Sequence, residues 1–143
     1  MQEPAGQAGA LTFTVPGAAA PQGSKRAFRT GGRIVLVESS AKVKPYRAAV
    51  AAAAYAAGAV VVDGPVSVRV AFSFVRPASH FGARGLRTAA RTFPGKPDTD
   101  KLVRATLDAL TGIAYRDDAQ VVEIWATKAY GPTAQTVIAI SAA

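Results

Sequence analysis

Between Val66 and Phe74 every second residue is large and apolar: Val66, Val68, Val70, Phe72 and Phe74. A period of two puts all five side chains on one face of an extended strand, so the chain must build a sheet with a covered face. Shorter alternating runs supply candidate neighbours. Leu11 to Val15 is stopped by Pro16-Gly17, and Arg33 to Val37 follows the Gly31-Gly32 turn. Val121 to Thr127 places Val122, Ile124 and Ala126 on one side, and Gly131-Pro132 then turns the chain into Thr136 to Ile140 as a C-terminal hairpin.

Two segments read as helices. The alanine-rich run from Pro45 to Ala57 has high helix propensity, tolerates Pro45 in its first turn and meets a stop at Gly58. A second helix is expected from Lys101 to Thr111, capped by Asp100, with Leu102, Val103, Leu107 and Leu110 as its buried stripe and Gly112 as its stop. Two helices among strands predict an α+β fold: a small mixed or antiparallel sheet with two main helices. With 143 residues the chain suits one domain over 11–143, preceded by a flexible N-terminus over 1–10.

Charge narrows the partner. The net charge is +8, and basic residues crowd two connections, a loop at Pro21 to Arg26 and a flap at Arg76 to Gly95. A folded, positively charged body suits a polyanion. The chain has no cysteine, which excludes disulfides, thiol catalysis and zinc held by cysteine. Neither a signal peptide nor a membrane span is apparent, and a cytoplasmic location is expected.

The acids are distributed differently. Asp98, Asp100, Asp108, Asp117, Asp118 and Glu123 share one short stretch, and Glu3, Glu38 and Asp63 lie outside it. Crowding carboxylates costs self-repulsion unless a cation neutralises them, and hard oxygen ligands suit Mg²⁺ or Mn²⁺. Asp98 and Asp100 face one side if that backbone is extended, and the turn at Asp117-Asp118 can return a further carboxylate. Plainer roles exist for each: Asp100 as a helix cap, Asp108 as the intrahelical partner of Arg104, Asp117-Asp118 as turn chemistry. The single histidine, His80, suits a surface position better than a general base.

The stretch from Lys96 to Val122 resembles the RusA family of Holliday junction resolvases. Pro97-Asp98-Thr99-Asp100, Asp108-Ala109-Leu110 and Asp117-Asp118-Ala119-Gln120-Val121 correspond to the family's Pro-Asp-x-Asp-Asn start, Asp-Ala-Leu helix end and Asp-Asp-x-Gln-Val return. The resemblance implies metal binding and catalysis by Asp98, Asp100 and Asp118, with Asp117 secondary. It departs at two positions. The family's asparagine is Lys101 here, and its catalytic lysine is Arg104, which keeps the charge but cannot readily exchange a proton. Implied with it are Mg²⁺ (or Mn²⁺), a homodimer, and paired nicking of four-way DNA junctions in recombination and repair, in a bacterial or phage-encoded intracellular protein. Lys25, Arg26, Arg29, Arg33, Arg84, Arg87, Arg91, Lys96 and Lys101 are the expected DNA contacts. Phe28 or Phe81 suits a wedge at the junction centre. Two rivals stand beside this reading: a non-catalytic basic DNA-binding dimer, and a nuclease for flaps or single strands.

Overall fold

The computed structural model describes residues 10–23, 25–38 and 41–143, with side chains described outside 25–28, 30 and 35–38. The N-terminal segment expected to be flexible therefore lies, but for Ala10, outside the described residues. The elements run β1 (Leu11–Pro16), β2 (Lys25–Thr30), β3 (Arg33–Glu38), α1 (Val43–Ala56), β4 (Val66–Phe74), β5 (Phe81–Gly82), β6 (Gly85–Leu86), α2 (Thr99–Leu110), β7 (Val121–Tyr130) and β8 (Gln135–Ala142). The main sheet has four strands in the order β1-β8-β4-β7, and two small hairpins, β2-β3 and β5-β6, stand apart from it. The α+β class with a mixed sheet and two helices is what the patterning predicts. Lys25 and Arg26 open strand β2 and are not part of a loop.

The alternating run is the central strand. Val66, Val68, Val70 and Phe72 are buried against α1 and α2, together with Phe13 and Val15 of β1 and Ile138 and Ile140 of β8. Helix α1 turns Val43, Tyr46, Val50 and Ala54 into this core. From α2 come Leu102, Ala105, Thr106, Ala109 and Leu110. Val103 and Leu107, expected in that stripe, are only partly buried at its margins. Among the described residues no helix is long and apolar enough to cross a membrane.

The two helices are tied by a buried polar link. The Tyr46 hydroxyl lies 2.8 Å from Thr106 Oγ1, and Thr106 in turn donates to the Leu102 carbonyl at 2.9 Å. With its proton committed, Thr106 accepts from Tyr46. Tyr46→Phe removes one donor and leaves Thr106 its own bond, so a loss of about 1 kcal/mol is expected in chemical denaturation.

The C-terminal hairpin does not form. β7 pairs in parallel with β4, Val68 opposite Ile124 and Phe74 opposite Tyr130, while β8 pairs antiparallel with β4 and β1. The chain passes over the end of β4, where the Gly131 amide donates to the Phe74 carbonyl at 2.8 Å. Stepping across a strand spans two strand spacings, about 9.6 Å. Four residues can reach roughly 13–14 Å, so the short turn that suggests a hairpin also permits the crossing. β7 is consequently an edge strand, and Val122 and Ile124, expected on a buried side, are 64% and 45% exposed.

Candidate active site

Helix α2 separates the predicted site residues into two groups. Its N-terminal end carries Asp98 and Asp100. Asp98 is the residue before the first turn, extended at φ −65° and ψ 137°, and Asp100 lies within that turn. The expected capping by Asp100 is thus corrected, because the helix starts two residues earlier, at Thr99. Either aspartate is a good cap by type, and the sequence offers no ranking between them. The Asp98 side chain makes no capping bond. Its carboxylate instead meets Lys96 Nζ at 3.0 Å and Lys101 Nζ at 3.8 Å. The hydrogen bond from Lys96, followed by the charge of Lys96, holds the Asp98 carboxyl below its ordinary value. Lys101, which replaces an asparagine of the family pattern, thus neutralises a carboxylate. Asp100 is exposed and makes no ion pair among the described residues.

Lys128 pins this end of the helix to the sheet. Its Nζ donates to the Pro97 carbonyl at 2.7 Å and the Gly95 carbonyl at 3.2 Å, fixing the approach of the chain to Asp98. Nothing in the local sequence marks Lys128, because its partners are backbone oxygens about thirty residues away by sequence count.

The C-terminal end of α2 carries the other group. Asp108 pairs with Arg47 of α1 at 3.7 Å, and not with Arg104 as its spacing suggested. Asp117 accepts from the Ala119 amide at 2.9 Å and caps a single 3₁₀ turn over Asp118–Gln120. Gln120 Oε1 accepts from the Arg116 and Asp117 amides, and its Nε2 donates to the Val62 and Gly64 carbonyls at 2.9 and 2.8 Å. The Asp-Asp-x-Gln pattern therefore has a structural logic: Gln120 completes a capping box and fastens the turn to the segment before β4. Asp118 is left exposed, its carboxyl raised above the ordinary value first by a side-chain hydrogen bond with Asp117, then by burial and the charges of Asp117 and Asp108. Beneath it the buried Tyr115 hydroxyl donates to the Leu107 carbonyl at 2.6 Å.

Asp117→Asn should lower the Asp118 titration midpoint. Asparagine keeps the oxygen that caps Ala119 but removes the negative neighbour, so the charged form of Asp118 gains. Carboxyl-carbon NMR across an acid titration in chelator reads the shift, and an unmoved midpoint would clear Asp117 of that influence.

Arg104 lies between the groups. It is exposed, and it shares a helix face with Asp100 and Asp108, four residues away on either side. The distance from Asp98 to Asp108 along the helix is about 15 Å at 1.5 Å per residue. Asp98 and Asp100 are thus not brought to Asp118 within one chain, and among the described residues no three acidic, histidine or cysteine side chains converge to hold a metal ion.

The expected DNA contacts fall on the β2-β3 hairpin, along the flap and at the N-terminal end of α2. Arg29 and Arg33 are exposed beside the β2-β3 turn, and Arg84, Arg87 and Arg91 are exposed along the flap. Lys96 and Lys101 flank Asp98, and the side chains of Lys25, Arg26 and Phe28 lie outside the described set. His80 is not a free surface residue: its Nδ1 lies 3.2 Å from Arg76 and its ring meets Tyr130 edge-on.

Comparison with known proteins identifies the family. The family described as endodeoxyribonuclease RusA matches residues 16–141. The chain is 30% identical over 125 residues to the uncharacterized protein YqaN of Bacillus subtilis (strain 168), covering 84% of this chain and 87% of that protein. The match takes in both helices, strands β4 and β7, nearly all of β8 and both groups of carboxylates, so the chain belongs to the RusA family of endodeoxyribonucleases.

Proposed function

We propose that this protein resolves four-way DNA junctions by nicking two opposed strands, with Mg²⁺ or Mn²⁺ as cofactor, in recombination and repair. The observation that carries the reading is the pairing of an exposed carboxylate group at the N-terminal end of α2 with an acid-free basic segment. From Pro65 to Pro97 there is no acid, while Arg69, Arg76, Arg84, Arg87, Arg91 and Lys96 are all basic. Phosphate contacts from that segment would supply affinity and salt sensitivity.

A homodimer is part of the proposal. The split of Asp98 and Asp100 from Asp118 supports it, since a two-fold axis sets residue i of one copy against residue j of the other and repeats the contact. Two α2 helices running in opposite directions would bring each Asp98-Asp100 end to a partner's Asp118 end, forming two equivalent sites for two equivalent strands. The edge strand β7 offers apolar surface for such a contact, with Val122 64% and Trp125 61% exposed. A divalent ion bound there would stabilise charge on the phosphate. The protein's own parts are simpler: the flap and Lys101 hold the backbone, and Arg104 presents a fixed positive charge one turn from Asp100.

A substrate panel tests the proposal. Four-way junctions should be cut with Mg²⁺ or Mn²⁺ and spared with chelator, while linear duplex and single strands are spared throughout. Preferential cutting of flaps or single strands would reassign the specificity, and junction binding without cleavage under any metal would favour the non-catalytic dimer.

A further inference from the structure

The flap and the end of β7 border an open pocket that lies apart from the carboxylates at the two ends of α2. Its volume is about 350 Å³, and Val75, Arg76, Phe81, Thr92, Tyr130 and Pro132 are among its walls. That volume falls in the roughly 300–1,000 Å³ range of small-molecule sites. We propose that this pocket receives one unstacked nucleobase of the DNA strand that crosses the N-terminal end of α2. The inference rests on the nuclease reading and adds a base-holding subsite to it.

Three observations lead there. The first is the planar cation. The Arg76 guanidinium lies 4.5 Å from the centre of the Tyr130 ring, donates to the Arg91 carbonyl at 2.6 Å and meets His80 Nδ1 at 3.2 Å. His80 packs edge-on against the same ring at 5.5 Å. The stack is therefore fixed from several sides, and a rigid aromatic or guanidinium plane is what an unstacked base packs on.

The second is apolar exposure in a charged setting. Val75 is 55% exposed and Phe81 48%, on a segment that holds arginines and no acid. Apolar walls whose charged lining residue is Arg76 match a ligand with a flat apolar body and an anionic backbone.

The third is position. Side chains alternate along β7, so Lys128 and Tyr130 face the same way, about 7 Å apart. Lys128 holds the Gly95 and Pro97 carbonyls immediately before Asp98. A phosphate at the end of α2 would thus place a neighbouring nucleotide of the same strand over the pocket.

Photocrosslinking tests this with intact protein in chelator, so that nothing is cut. Synthetic junctions carry 5-iododeoxyuridine at single positions near the branch point, and crosslinked peptides are mapped by mass spectrometry. The expected result is a crosslink to Tyr130 or Phe81 from one or two positions only. Phe81→Ala should weaken junction binding about tenfold, as the loss of one stacked base does, with the salt dependence unchanged. Arg84→Ala should instead flatten the salt dependence by about one unit of slope. Crosslinks that all map outside the pocket, or wild-type affinity for Phe81→Ala, would overturn the subsite. The two readings fail separately. Junctions cut with metal but without a pocket crosslink remove the subsite alone, and a pocket crosslink on junctions that no metal causes to be cut removes the nuclease reading alone.

Discussion

Asp118→Asn and Asp100→Asn are each expected to cut junction cleavage by about a thousandfold, the upper end of what removing one preorganised electrostatic group costs, while junction binding persists. Binding persists because affinity rests on the basic flap and helix end, not on the acids. Mixing the two inactive proteins gives the sharper result. If each site takes Asp98 and Asp100 from one chain and Asp118 from the other, a mixed dimer holds one doubly altered site and one intact site. Random exchange then restores about a quarter of the sites, and these nick one strand without the paired second cut. A mixture as inactive as its components, with exchange shown by tagged subunits, would place all three carboxylates of each site on one chain. Wild-type cleavage by both single variants would remove the carboxylates from the site altogether.

The second large effect concerns Arg104. It stands exposed between Asp100 and Asp108 on one helix face and, with Asp108 paired to Arg47, makes no ion pair among the described residues. A long side chain on a helix leans toward the N-terminal end, which brings the guanidinium toward Asp100. Arg104→Ala should lower the single-turnover cleavage rate at saturating junction by roughly 10²–10³-fold, or 2.7–4 kcal/mol. Arg104→Lys should remain active, because a fixed positive charge is what the position supplies. Cleavage at the wild-type rate by the alanine variant would leave Arg104 as surface charge. Loss of activity in the lysine variant would show that the two-pronged guanidinium geometry matters.

Much of this architecture is legible in the sequence, because single elements answer to local rules. The β4 alternation, the alanine-rich α1 and the Gly31-Gly32 hairpin each follow from periodicity or turn chemistry. Pairing is another matter. Whether Val121 to Tyr130 lies beside β8 or beyond β4 depends on which neighbour buries its face, and no local pattern encodes that choice. The same holds at the site. The acids could be listed from spacing, but whether the turn at Asp117-Asp118 returns a carboxylate to Asp98 and Asp100 depends on how Asp117 and Gln120 fasten that turn, which spacing does not encode. Gln120 was visible as part of a motif and mute as to its task, since its four partners include carbonyls from the distant segment before β4.

The placement of β8 has a consequence for the order of assembly. This strand joins Leu11 at one edge, opposite Ile140, to Val66 at the other, opposite Ala142, so β1 has no sheet partner until residues 135–142 exist. During synthesis β4, α2 and β7 can gather first as a unit, with their apolar face incompletely covered, and contacts of such long sequence separation close late. A ribosome that stops before Gln135 therefore releases a chain unable to complete its core. For a member of an endodeoxyribonuclease family this is a safeguard written into strand order: no complete core, and so no nuclease to restrain, exists until residues 135–142 have been made.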